Sequence, residues 1–219
     1  MKIKIYHGSE FIIRQPKFGV GKIHNDYGLG FYCTEYLNLA QEWACSEVHG
    51  GFANEYTLDL NGLKILNLND SKYNILHWIA LLLKNRDFSI DNELSKAAKE
   101  YLLTNYLIDI SEYDIVIVCR ADDSYFSFAR DFLHNIISLQ KLEDAMRLGD
   151  LGNQIVLISP KAFKQIKFKK AIIAQHDVFY TLRKKRDDCA RKIYLEKRND
   201  LSIIKNEIYI IDILRGGKY

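Results

Sequence analysis

Two short stretches have the residue types and spacing to do chemistry on a flat ligand. Tyr6-His7-Gly8-Ser9 offers an imidazole, an unhindered backbone unit and a hydroxyl in consecutive positions. Asp26-Tyr27-Gly28-Leu29-Gly30-Phe31-Tyr32-Cys33-Thr34 sets two glycines before a Phe-Tyr pair. The backbone can then approach a planar molecule closely, and the rings give it a face to stack on.

These residues need elements to hold them. Ile3 to Tyr6 reads as a strand delivering His7-Gly8-Ser9, followed by a polar, Gly-rich loop over Arg14 to Asn25 and a second strand ending at Thr34. Asn38, with Gln41 three residues later, predicts a capping box for a helix carrying Leu39, Trp43 and Ala44 on one side. Ala53 to Leu60 alternates, and Leu63 to Leu68 follows Asn61-Gly62, so these two stretches are expected to pair as a hairpin. Helical spacing covers Ser71 to Lys84 and Asp91 to Ile108. The β-branched run Tyr113 to Cys119 predicts a buried strand delivering Arg120-Ala121-Asp122-Asp123. Ser124 to Leu148 then reads as helix broken near Ser138, and Gln154 to Ser159 as a second buried strand stopped by Pro160.

Composition limits the classes. With 219 residues, 48% of them hydrophobic, and only two prolines, the chain fits one domain with an appendage and is neither disordered nor a repeat array. No apolar run reaches membrane-spanning length and the N-terminus alternates like a strand, so a cytoplasmic protein with no membrane association is expected. Cys33, Cys45, Cys119 and Cys189 are scattered and read as reduced thiols, and no metal spacing is found. From Lys169 onward there are thirteen Lys or Arg against seven Asp or Glu, whereas the first 168 residues are net negative. Residues 169–219 therefore read as a basic extension: a long helix over His176 to Asn199 and a closing strand over Asn206 to Leu214. That helix suggests nucleic-acid contact or the docking of a small neutralising partner.

The succession Tyr6-His7-Gly8-Ser9, Gly28 to Thr34, Ala40-Gln41-Glu42-Trp43-Ala44, Asn54-Glu55-Tyr56, Tyr113 to Val116, Ala121-Asp122-Asp123 and Gln154-Ile155-Val156 resembles the bacterial family of unknown function DUF3990 over roughly residues 3 to 168. That family is similar to the His-Tyr-Glu class of ADP-ribosyltransferases, shared by diphtheria-type toxins and poly(ADP-ribose) polymerases. The resemblance implies an α+β fold with a split antiparallel β-sheet clasping NAD as substrate. It implies that His7 and the Gly8 backbone hold the nicotinamide ribose and carboxamide, that Tyr32 stacks on the nicotinamide, and that Trp43, eleven residues on, completes the sandwich. Ser9, Gly30 and Phe31 complete the expected cofactor-binding set. The third motif residue is usually Glu; here its place is held by Gln154.

Cleaving nicotinamide from ribose builds positive charge on the sugar, and contacts to the neighbouring hydroxyl strengthen as it does so. Gln154 can hydrogen-bond a hydroxyl but is neither a general base nor a charge. Asp122 and Asp123 are the carboxylates placed to compensate. Three functions follow: transfer of ADP-ribose to a macromolecular acceptor, nucleic acid or protein, as the toxin of a toxin–antitoxin or phage-defence pair; a catalytically silent NAD-fold binding module; or NAD hydrolysis. The enzymatic readings expect His7 and Tyr32 to face one cleft shaped for a dinucleotide's pyridine end.

Overall fold

The computed structural model describes residues 1–88, 90–119, 125–148, 151–200 and 206–216. Asp122 and Asp123 lie outside the described residues. Seven strands form one sheet in the order β4-β5-β6-β2-β1-β3-β7: β1 Lys2–Ser9, β2 Phe31–Thr34, β3 Gly51–Asp59, β4 Ile65–Asn67, β5 Ile115–Cys119, β6 Asn153–Leu157 and β7 Ile166–Ala174. The class is α+β. Every pairing is antiparallel except β4 with β5, which is parallel and corrects the expectation of an all-antiparallel sheet.

β5 and β6 are apolar on both faces, as Ile115, Val116, Ile155, Val156 and Leu157 are at most 2% exposed. Helices α2 Ile75–Asn85, α3 Glu93–Asn105, α4 Tyr125–Leu133 and α5 Leu139–Ala145 bury the larger core over one face of this half. The end signals explain the helix bounds. Asn74 Oδ1 accepts from Leu76 N, and the Asn74 N–H donates to His77 Nδ1, so α2 begins after Asn74 and not at Ser71. Ser138 Oγ accepts from Lys141 N and opens α5 at the expected break. α1, Leu37–Ala44, starts one residue before Asn38: its N-cap is Tyr36, which makes no side-chain cap bond, so the Asn38 capping box does not form.

The hairpin expected around Asn61-Gly62 is also corrected. The turn exists, with Gly62 at φ +72° and Leu63 N–H bonded to Leu60 O. Its flanking strands part, however, because both edges of β3 are taken by β1 and β7, while β4 joins β5 at the far end of the sheet.

The C-terminal segment is built into the fold. β7 crosses residue 168 and pairs with β3 from Gly51↔Ala174 to Leu58↔Ile166. After the short helix α6, Pro160–Gln165, and β7 comes α7, spanning His176–Asn199 as expected. α7 packs on α4, stacking Tyr194 on Phe128 at 3.8 Å and donating its hydroxyl to Asp131 Oδ2 at 2.6 Å. The closing element is helix α8, Ile210–Leu214, where a strand was expected. Ile210 and Ile213, one turn apart, are both fully buried. Among the described residues no helix is long and apolar enough to cross a membrane.

Candidate functional site

Strands β1 and β2 meet at one register pair, Tyr6↔Thr34, whereas β1 pairs with β3 along its whole length from Lys2↔Asp59 to Ser9↔Phe52. The sheet is therefore seamed between β1 and β2. Beyond the Tyr6↔Thr34 pair, the His7 imidazole reaches across the seam, with Nδ1 2.7 Å from the carbonyl oxygen of Tyr32. A carbonyl only accepts, so Nδ1 carries the proton and Nε2 presents a lone pair. Nε2 has no hydrogen-bond partner among the described residues, nor is it one of the sealed polar atoms. Burial lowers the His7 pKa, opposed only in part by the Tyr32 carbonyl, and the ring is neutral at pH 7. Its plane lies on Phe31 at 4.2 Å, and Phe31 meets Tyr56 edge-on at 5.6 Å. Phe31 is thus His7's support, not a second ligand face.

The register also fixes which way each side chain points. Tyr6, Thr34 and Gln154 are cross-strand neighbours and stand in one row on one face, with Glu55 extending it through its pairing with Tyr6. Tyr32, two residues from Thr34, shares that face. His7, one residue from Tyr6, points to the other, with Phe31 and Cys33. The two rings expected to face a common cleft therefore project from opposite sides of the sheet, linked through the Tyr32 carbonyl. The Tyr32 hydroxyl donates to Gly28 O at 2.6 Å and accepts from Tyr27 N at 3.2 Å. Burial holds that phenol far above its ordinary pKa, so its ring and not its oxygen is available for contact.

The glycines serve packing. A Cβ on Gly8 would land in the Ala40 carbonyl and 2.8 Å from Trp43 Cβ, so Gly8 lets α1 lie on β1. A Cβ on Gly30 would sit 2.6 Å from Val156 Cγ1, against β6. The space expected for a ligand at both positions is filled by the protein itself. Trp43, half-buried on α1, stands over Gly8 on the Tyr32 face. Ser9 ends β1, and its Oγ accepts from Phe11 N. Gln154 is 6% exposed between Thr34 and Val118, and its Oε1 is sealed with no partner among the described residues. A buried amide oxygen without a partner costs about 1–3 kcal/mol, and because it is sealed it is closed to a ligand on the Tyr32 face.

Sequence reasoning missed what holds α1 in place. Glu42, 4% exposed at its side chain, takes a two-point bond from Arg186 of α7, at 2.7 and 3.1 Å. Arg183 Nη1 donates to Cys45 O at the end of α1, and Gln41 Nε2 to Ile173 O of β7. Glu42 and Arg186 were legible only as charges on two helices. The basic helix is consequently in part internal wiring: Arg198 is bound to Asp131 and Lys197 to Asp144, while Lys184, Lys185 and Lys192 face solvent.

No curated protein and no solved structure matches the chain. A family model described as "Protein of unknown function (DUF3990)" matches residues 3–168, the span that carries β1 to α6, the seam and every candidate residue above. The chain belongs to the DUF3990 family.

Proposed function

We propose that the seam binds the nicotinamide–ribose end of NAD and that the protein is a cytoplasmic mono-ADP-ribosyltransferase acting on a macromolecular acceptor, the toxin of a toxin–antitoxin or phage-defence pair. The observation that carries the reading is His7: neutral, fixed in one tautomer by the Tyr32 carbonyl, with Nε2 left as an acceptor beside the point where the strands part. Nε2 accepts from a ribose hydroxyl, and that bond strengthens as the sugar gains positive charge. Tyr32 and Trp43 lie on the opposite face of the sheet, so the part of Tyr32 that serves the sugar is the carbonyl that fixes the His7 imidazole. Gln154, whose Oε1 is sealed from solvent, can neither remove a proton nor balance the cation. Either Asp122 or Asp123 supplies the charge, or the acceptor is nucleophilic already, as a nucleobase nitrogen or a guanidine is.

A second reading, a module that binds NAD without turning it over, is favoured by the same two features: the missing carboxylate and the opposite orientation of His7 and Tyr32. The protein incubated with labelled NAD and total RNA, DNA or lysate protein separates them. Label in polymer is expected, reduced roughly a hundredfold in His7→Ala. Free ADP-ribose alone identifies a hydrolase, and binding without turnover identifies the module. Full transfer by Asp122→Asn and Asp123→Asn variants would remove those carboxylates from the chemistry. Growth arrest on expression that persists in both His7→Ala and Tyr32→Ala would rule out the seam.

A further inference from the structure

A cavity of about 510 Å³ opens beside Gln154, at the end of the sheet where β5, β6 and the start of α2 meet. Its apolar wall is Tyr73, Trp78, Val118 and Met146, and Val118 is the direct cross-strand neighbour of Gln154. Its polar floor is an amide pair, Asn69 from the β4–α2 connection and Asn153 from β6. Asn69 Nδ2 donates to Asn153 Oδ1 at 3.2 Å. That bond leaves Asn69 Oδ1 as an acceptor and Asn153 Nδ2 as a donor, neither with a side-chain partner among the described residues. Exchanging O and N in both amides leaves the same pair, one donor and one acceptor, so the pattern does not depend on amide orientation. Glu143 and Arg147 bring one charge of each sign to the cavity and form no ion pair with each other or with other described residues.

A cavity walled by Tyr73, Trp78, Val118 and Met146, with an amide donor and an amide acceptor and charges of both signs, suits a neutral heterocycle with room for an anionic substituent near Arg147. One carboxamide can accept from adenine N6 while donating to N7; here the acceptor and the donor come from two amides held together by their own hydrogen bond. We infer that this cavity is an adenine-binding site, separate from the seam. The adenine comes either from the adenosine end of NAD or from single-stranded nucleic acid.

Isothermal titration of the full chain tests it with AMP, IMP, NAD and a single-stranded oligoadenylate. AMP is expected to bind saturably, and IMP, whose 6-oxo group cannot donate, about tenfold more weakly. NAD competing with AMP assigns the site to the donor; oligoadenylate competing where NAD does not assigns it to the acceptor. The double variant Asn69→Ala, Asn153→Ser is expected to weaken AMP at least tenfold. Asn69→Ala alone, on an exposed connection, gives the same readout if the double variant does not fold. No AMP binding at millimolar concentration, equal binding of IMP, or undiminished binding by these variants overturns the assignment. His7→Ala should leave AMP affinity unchanged, so a failure of the seam chemistry and a failure of this site are told apart.

Discussion

The two halves of the sheet on either side of the seam are held by different forces. In the half β4-β5-β6-β2, stability comes from apolar volume, with buried residues on both faces and helices α2 to α5 and α8 closing one large core. In the half β1-β3-β7, β7 carries exposed Lys167, Lys169, Lys170 and Ile173, and directed bonds do much of the holding. Asn54 alone donates to the His7, Phe11 and Phe52 carbonyls and accepts from Ile13 N. α1 is tied down by Arg186, Arg183 and Gln41. The first kind of half tolerates small shifts in direction; the second depends on individual atoms. Across the seam the backbone ladder is one pair and the His7 imidazole adds one bond, while the apolar cluster of Ile5, Tyr56 and Leu58 with Phe31, Ile155 and Leu157 packs the halves together on one face.

The largest expected effect follows from that dependence on atoms. Arg186→Ala strands the Glu42 carboxylate in a buried position and is expected to cost about 3–5 kcal/mol in urea unfolding. Removing the exposed Lys197–Asp144 pair from the same helix should cost under about 1 kcal/mol. The double variant Glu42→Gln, Arg186→Met should recover most of the loss. Equal costs for the two pairs would erase the distinction between the halves. Next comes Gly8→Ala. The new methyl meets the backbone of α1, which cannot rotate away, so a loss of about 1–3 kcal/mol is expected, together with a shift in Trp43 fluorescence. Smaller, and opposite in sign, is Gln154→Leu. Replacing an amide whose sealed Oε1 has no partner among the described residues by an apolar group should raise the melting temperature by the equivalent of about 1 kcal/mol. A destabilised variant would mean that Gln154 has a structural partner.

Local patterns made much of the fold legible. The β-branched runs gave β5 and β6, the Ser138 cap gave the α4–α5 break, and α7 begins and ends where its charge and apolar spacing change. What failed was decided at long range. The Asn61-Gly62 turn is real, but a turn does not choose partners once β1 and β7 occupy both edges of β3. The run Ile208 to Leu214 suits a strand or a buried helix equally, and only packing in the large core selects α8. β7 is hidden by its lysines. In the site, residue types were readable and faces were not: His7 and Tyr32 are separated by a register that no spacing within either strand encodes. The Asn69–Asn153 pair, 84 positions apart, left no local signal.

The finest test of the comparison is histidine protonation, because the seam histidine and the two that bind exposed carboxylates, His134 and His176, shift in opposite directions, while burial lowers His77 as well. Burial lowers the pKa of His7, whereas the Arg130 carbonyl and Asp91 raise that of His134, and Asp177 raises that of His176. When pH falls below the ordinary value near 6.5, an unfolded chain protonates at position 7 but the folded one does not. Folding stability therefore declines as pH falls from about 6.5 towards the folded pKa of His7. His134 and His176 act the other way: their contribution is present below about 6.5 and is lost as pH rises through their folded values, and the exposure of their partners Asp91 and Asp177 keeps it small. An imidazole NMR titration is expected to show the His134 and His176 signals moving first as acid is added, with His7 last and its Nδ1 proton retained. Protonation of His7 at Nε2 should at the same pH end its capacity to accept from a hydroxyl, so ligand binding at the seam should fall with that titration and not with the others. A His7 signal titrating at or above 6.5 would mean that the ring is not enclosed between the halves. The seam would then be an open edge and not a site.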